Sequence, residues 1–184
     1  MSVMNAGRLY YVMGLSGAGK DSVLGWVRDN GPSRGVLCAH RYVTRPAQLD
    51  GENHVALSAV EFELRERRGL FALTWQSRGL RYGLGKEIEH WLRQGVDVLV
   101  NGSRDAYPLA KARFDGMVPV LITANRECIA RRLVARGRET LEQIEQRLAR
   151  SENYVVPGDA LTIANERSLP EAGAALLDAI CSRA

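Results

Sequence analysis

The chain has 184 residues, 46% hydrophobic and 25% charged, a composition suited to one globular domain with a substantial core. No run approaches the roughly 20 apolar residues of a membrane span, and aromatic residues, at 7%, are sparse for a base-stacking surface. The net charge of +4 rests on 25 basic residues, of which only Lys20, Lys86 and Lys111 are lysine. Arginine forks suit a phosphorylated ligand, although a GC-rich genome also enriches arginine. The three cysteines, Cys38, Cys128 and Cys181, show no metal-ligand spacing and read as buried thiols. Met1 to Tyr11 lacks the apolar core and cleavage site of a secretory leader. A cytoplasmic protein with neither membrane nor nucleic-acid partner is expected; the sequence leaves its oligomeric state open.

In chain order, Leu9–Met13 reads as a buried strand ending at Gly14, and Asp21–Asn30, with Val23, Leu24 and Val27 on one face, as a helix. Gly35–Ala39 is a second short strand. The segment 45–85 is polar and dense in turn residues, with one helical patch at Ser58–Arg68, and reads as an inserted subdomain. Alternation then resumes: helix 86–94, strand 96–100, helix 105–114, strand 118–122, helix 126–135, a polar turn, helix 140–153, strand 160–163 and helix 170–181. Short apolar strands alternating with helices predict an α/β fold, a parallel sheet flanked by helices. Ligands of such sheets bind at the carboxyl ends of the strands.

Gly14-Leu15-Ser16-Gly17-Ala18-Gly19-Lys20 fits G-x-x-x-x-G-K between a strand and a helix, the context a P-loop requires. Glycines let successive N–H groups point inward at phosphates, the helix N-terminus adds partial positive charge, and Lys20 reaches the β- and γ-phosphates of a nucleotide. ATP with Mg2+ is the expected ligand pair. Where a Ser or Thr normally ligates the metal this chain has Asp21, whose carboxylate is also a good hard ligand. Ser22 is the alternative ligand, and an acidic residue in a first helical turn is also favoured by the helix dipole alone. A GTPase would carry Asn-Lys-x-Asp after a later strand; here the stretch is Asn125-Arg126-Glu127-Cys128.

With these features the chain resembles the guanylate-kinase-like nucleotide kinases over nearly its full length. The resemblance is carried by Gly19-Lys20-Asp21-Ser22, by Ala39 to Pro46, by Glu52 to Ser58, by Tyr82-Gly83-Leu84-Gly85, by Val100-Asn101-Gly102-Ser103-Arg104 and by Arg136-Gly137-Arg138-Glu139. It narrows to the branch acting on a sugar bisphosphate. Guanylate kinases hold the guanine edge with a carboxylate where this chain reads Leu70 to Trp75 without one, and unpaired base donors would cost on the order of 1–3 kcal/mol. Their acidic motif after the middle strand is Asn101-Gly102-Ser103 here.

The resemblance implies a core of about 1–44 and 86–184, an acceptor-binding insert of about 45–85 and a lid of about 136–141. It implies phosphorylation of ribose 1,5-bisphosphate by ATP, giving ADP and phosphoribosyl pyrophosphate in phosphonate degradation. The lid role of closing over phosphates falls to Arg136, Arg138 and Arg147, and the acceptor-phosphate grip to Arg41 and Arg45. Tyr82 and His54 are candidates for contact with the sugar, Asn101 for a polar strand end facing the ligand, and Arg81 for the second phosphate. An acceptor phosphate is already ionised, so no general base is needed. A nucleoside-monophosphate kinase and a non-catalytic binding module on the same scaffold are the rival readings; an intact Lys20 argues against the second.

Overall fold

A computed structural model describes residues 6–15, 17–46, 54–137, 140–152 and 157–183. Its centre is a five-stranded, wholly parallel sheet of β2 (Val36–Cys38), β7 (Asp97–Asn101), β1 (Leu9–Gly14), β8 (Val118–Thr123) and β9 (Leu161–Ala164), in that order. Both faces are buried, as a parallel sheet requires, and β1 shows how. Tyr10 and Val12 enter one apolar cluster, with α1 (Lys20–Asn30), α5 (Arg126–Arg136), α6 (Leu141–Glu152) and α7 (Leu169–Cys181). Leu9, Tyr11 and Met13 enter a second, with α3 (Glu87–Arg93) and α4 (Tyr107–Arg113). Every one of these five β1 side chains is buried, which accounts for a continuous apolar run rather than an alternating one.

Helix starts follow local chemistry. Ser58 caps α2 (Ala59–Arg67) by accepting from the Glu61 N–H at 3.1 Å. Ser168 and Glu171 form a reciprocal capping box at α7. Asn125, the start of the failed guanine motif, caps α5 by accepting from the Cys128 N–H at 2.8 Å. The Cys38 thiol is pushed up to about 12 by burial, consistent with an inert packing role.

Between β2 and α3 the structure contains a second sheet. It orders β4 (His54–Ala56), β3 (Arg41–Val43), β6 (Leu80–Gly85) and β5 (Phe71–Ser77), with β3–β6 and β5–β6 antiparallel. The turn-rich reading of 45–85 contained the helix and missed these strands. Two are only three residues long, and the glycines of β6 interrupt the pattern by which a strand is recognised. The sheet has two distinct faces. Val43, Leu73, Trp75, Tyr82 and Leu84 turn to the central sheet, whereas Tyr42, Phe71, Thr74 and Arg81 meet α2.

Phe62 fastens α2 to that outer face. Fully buried, it stacks on Phe71 with ring centroids 4.7 Å apart and lies under the Arg81 guanidinium. Phe62→Ala should destabilise the protein by about 3–5 kcal/mol, the usual cost of truncating a buried ring. A lower midpoint in urea unfolding is the expected result.

Candidate active site

The turn after β1 has the backbone a phosphate cradle needs. Gly17 and Gly19 sit at φ 88° and 81°, where a side chain is strained, and a Cβ at either would collide with Ile129 or Asn165 respectively. Ala18 N–H donates to the Leu15 carbonyl at 3.0 Å, and Leu15 N–H to the Ile122 carbonyl at 3.3 Å. The buried Ala18 carbonyl accepts from Asn165 Nδ2 at 2.8 Å and Arg132 Nη1 at 3.2 Å. Ser16 lies outside the described residues.

Lys20 opens α1 beside the carboxyl end of β7, because β1 and β7 pair with Val12 opposite Asn101. Its ammonium donates to Asp21 Oδ1 at 2.8 Å and to Asn101 Oδ1, while Asn101 Nδ2 donates to Asp21 Oδ1 at 2.9 Å. Asn101 is buried and Asp21 half exposed. Burial pushes the Asp21 carboxyl up; the Lys20 charge and hydrogen bond, the Asn101 hydrogen bond and the Arg41 charge outweigh it and leave it below its ordinary value. An ionised oxygen at the surface beside the cradle fits a magnesium ion that takes one or two protein carboxylates and its remaining ligands from phosphate and water.

A cleft of about 300 Å3 opens between the two sheets, and Gly14, Lys20, Arg41, Arg104, Trp75 and Tyr82 line it. Trp75 and Tyr82 stack at 5.3 Å and 7°, and the Arg41 guanidinium lies 5.2 Å from the Tyr82 ring. A second cavity of about 330 Å3 lies on the other side of the turn, lined by Gly19, Ser22, Arg132, Asn165 and Leu169. The neighbouring arginines on α5 diverge: Arg132 reaches the turn, whereas Arg131 donates to the Cys128 sulfur at 3.2 Å.

The expected site residues thus fall into groups. Lys20, Asp21 and Asn101 meet one another, and Lys20, Arg41 and Tyr82 share the cleft. Arg45 and His54 are engaged with each other instead, Arg45 Nη2 lying 3.3 Å from His54 Nδ1 and the Arg45 carbonyl 3.3 Å from His54 Nε2. Arg81 lies apart from the cleft. One residue before Tyr82 on a strand, it points to the opposite face, where it pairs with Glu66 and covers Phe62. Arg136 ends α5 and Arg147 lies within α6; Arg138 is outside the described residues. The cleft also contains Ser103, from the polar strand end expected to face the ligand, and Trp75, Ser77, Arg78 and Arg104, none of them singled out as a site residue from the sequence. The period-two phase of β5 and β6 is the signal that would have found Trp75.

No family model matches the chain. A protein of Chromobacterium violaceum described as ribose 1,5-bisphosphate phosphokinase PhnN is 54% identical over 171 residues, covering 93% of this chain and 92% of the relative. One of the same description from Thiobacillus denitrificans is 48% identical over 176 residues, covering 95% and 93%. Among solved structures, guanylate kinase from Anaplasma phagocytophilum superposes with a TM-score of 0.68 at 16% identity, over 97% of this chain and 87% of that one, which shows a shared fold. On that identity and coverage, this chain belongs to the ribose 1,5-bisphosphate phosphokinase family, built on the guanylate kinase fold.

Proposed function

We propose that this protein transfers the terminal phosphoryl group of ATP, in the presence of Mg2+, to ribose 1,5-bisphosphate, releasing ADP and 5-phosphoribosyl 1-pyrophosphate in phosphonate degradation. The name shared by its relatives supports the reaction. The observation that carries it is one cleft in which the cradle lysine, Lys20, faces the same space as Arg41, Arg104 and the Tyr82 ring. A cytoplasmic location goes with this reading.

Lys20 and the amides of the turn neutralise and orient the phosphates being divided, and Asp21 would hold Mg2+ through its carboxylate, where the metal would supply positive charge against the negative charge of the transferring group. Asp21 and Asn101 hold the Lys20 ammonium, and phosphate oxygens take over from them during binding. Arg41 grips the acceptor phosphate, Tyr82 packs on the sugar, and Arg45 and His54 brace each other behind Arg41 on β3 and β4, where His54 stands opposite Arg41. The cavity beside Arg132 and Asn165 seats the nucleotide base. Residues 45–85 form the acceptor-binding insert, and residues 136–141 a lid whose Arg136 and Arg138, with Arg147 on α6, close over the phosphates. Because the acceptor oxygen is already anionic, these residues have only to position and neutralise; no side chain has to remove a proton.

The direct test measures ADP release from ATP and Mg2+ with ribose 1,5-bisphosphate or GMP as acceptor. Turnover with the bisphosphate is expected, and turnover with GMP alone would reject the reaction. Lys20→Ala should lower kcat by on the order of 10²–10³-fold, the range for losing one preorganised charge donor.

Asp21→Asn should raise the Mg2+ concentration needed for half-maximal rate. Held below its ordinary value by Lys20, Asn101 and Arg41 against the effect of burial, the Asp21 carboxylate stays ionised through neutral pH. Its contribution to stability is therefore present above the unfolded-state value of about 3.9 and is lost as pH falls through the lower folded-state value. Unfolding midpoints of wild type and Asp21→Asn, measured from pH 7 downward, should converge only in that acid range.

Arg81→Ala should lower the unfolding midpoint and leave the acceptor KM unchanged, because that guanidinium belongs to Glu66 and Phe62. A raised acceptor KM would return Arg81 to the site.

A further inference from the structure

The β5–β6 hairpin turns on two residues, with Ser77 paired to Leu80 and Arg78-Gly79 between them. Arg78 has φ 50° and Gly79 φ 76°, and Arg78 is the only non-glycine residue with positive φ among the described residues. Two left-handed central residues make a type I′ turn, whose twist suits the flanking strands. Asn-Gly and Asp-Gly fill it best, because a longer L side chain in that region crowds its own carbonyl and has no local hydrogen bond to offer. An arginine is therefore a poor choice for the turn itself. Residues held in such conformations gather at ligand sites, where an outside interaction compensates the strain.

The described surroundings of Arg78 do not supply that interaction. Its side chain is exposed, lines the cleft, and has no ion pair or hydrogen bond among the described residues. By contrast, Arg65 and Arg67 on α2 and Arg81 on the same hairpin are paired with glutamates. Among the described residues, four cations, Lys20, Arg41, Arg78 and Arg104, line the cleft against one carboxylate, Asp105. Lys20 comes from the start of α1, which follows β1 of the central sheet, and Arg78 from the tip of a hairpin in the second sheet, so the cleft has positive charge on both walls.

We infer that Arg78 binds the phosphate that does not react, the one on C5 of the ribose, and so selects a bisphosphate over a monophosphate acceptor. The inference rests on the reaction proposed above. There the C1 phosphate accepts the phosphoryl group and must lie by Lys20, which leaves the C5 phosphate for a cation on the other wall. The role first expected of Arg81 passes three positions back along the hairpin, to a residue on the cleft side.

Arg78→Asn is the informative variant, since it creates the turn's preferred Asn-Gly pair while removing the guanidinium. Its unfolding midpoint should equal or exceed that of the wild type, and its KM for ATP should stay within about twofold. The kcat/KM for ribose 1,5-bisphosphate should fall about 10- to 100-fold, the range for losing a charge-assisted hydrogen-bonded pair. Ribose 5-phosphate, which carries only the C5 phosphate, should bind wild type measurably by calorimetry and lose about 10-fold or more in affinity in the variant. Arg78→Lys should recover part of both losses. An active wild type whose Arg78→Asn variant keeps its kcat/KM and its affinity for ribose 5-phosphate would overturn the inference alone. So would a variant that loses ATP affinity equally. A wild type inactive on ribose 1,5-bisphosphate would sink the proposed reaction, and this inference with it.

Discussion

The Ala18 carbonyl in the glycine turn after β1 lies in a buried residue, and a buried carbonyl needs a donor. At Ala18 two donors meet that demand, Asn165 from the segment after β9 and Arg132 from α5. They lie 147 and 114 residues along the chain. The shape of the glycine turn therefore depends on the fold being complete around it. Removing either donor would leave a polar group without full compensation at the point where the backbone has to be most exact in direction.

The same region solves a charge problem. Lys20 is largely withdrawn from solvent, with a side-chain exposure of 17%, and an unpaired ammonium there would be costly. Asp21 and Asn101 share it, and Asn101 bonds both partners, so lysine and carboxylate are held ready at the carboxyl ends of β1 and β7. An asparagine rather than an acid at that strand end leaves the local balance neutral before a polyanion arrives. A second carboxylate there would leave a net negative charge beside Lys20.

The second sheet divides its labour by the period of the strand. Tyr82 and Trp75 stack on the cleft side. Arg81 and Thr74, one position away from each, meet Glu66 of α2 on the other side. A one-residue slip of β6 would exchange these sets and abolish the aromatic wall. The packing of Phe62 against Phe71, which holds α2 on the outer face, is thus also what keeps Tyr82 aimed inward.

Much of this was legible in the residues alone. The apolar runs of β1, β7 and β8, the helices between them and the glycine turn before α1 are local signals, since each rests on neighbours a few positions away. Hence the α/β class and the order of the elements around the central sheet could be read directly. The second sheet could not, because strands of three residues owe their existence to partners across the sheet rather than to their own composition. Tertiary structure alone decided which arginines face the cleft. Arginine reads the same in sequence whether it pairs with Glu66, braces His54 or lines the cleft at Arg78. Strand phase and the position of a turn set the direction of each side chain, and direction separates a phosphate ligand from a surface ion pair.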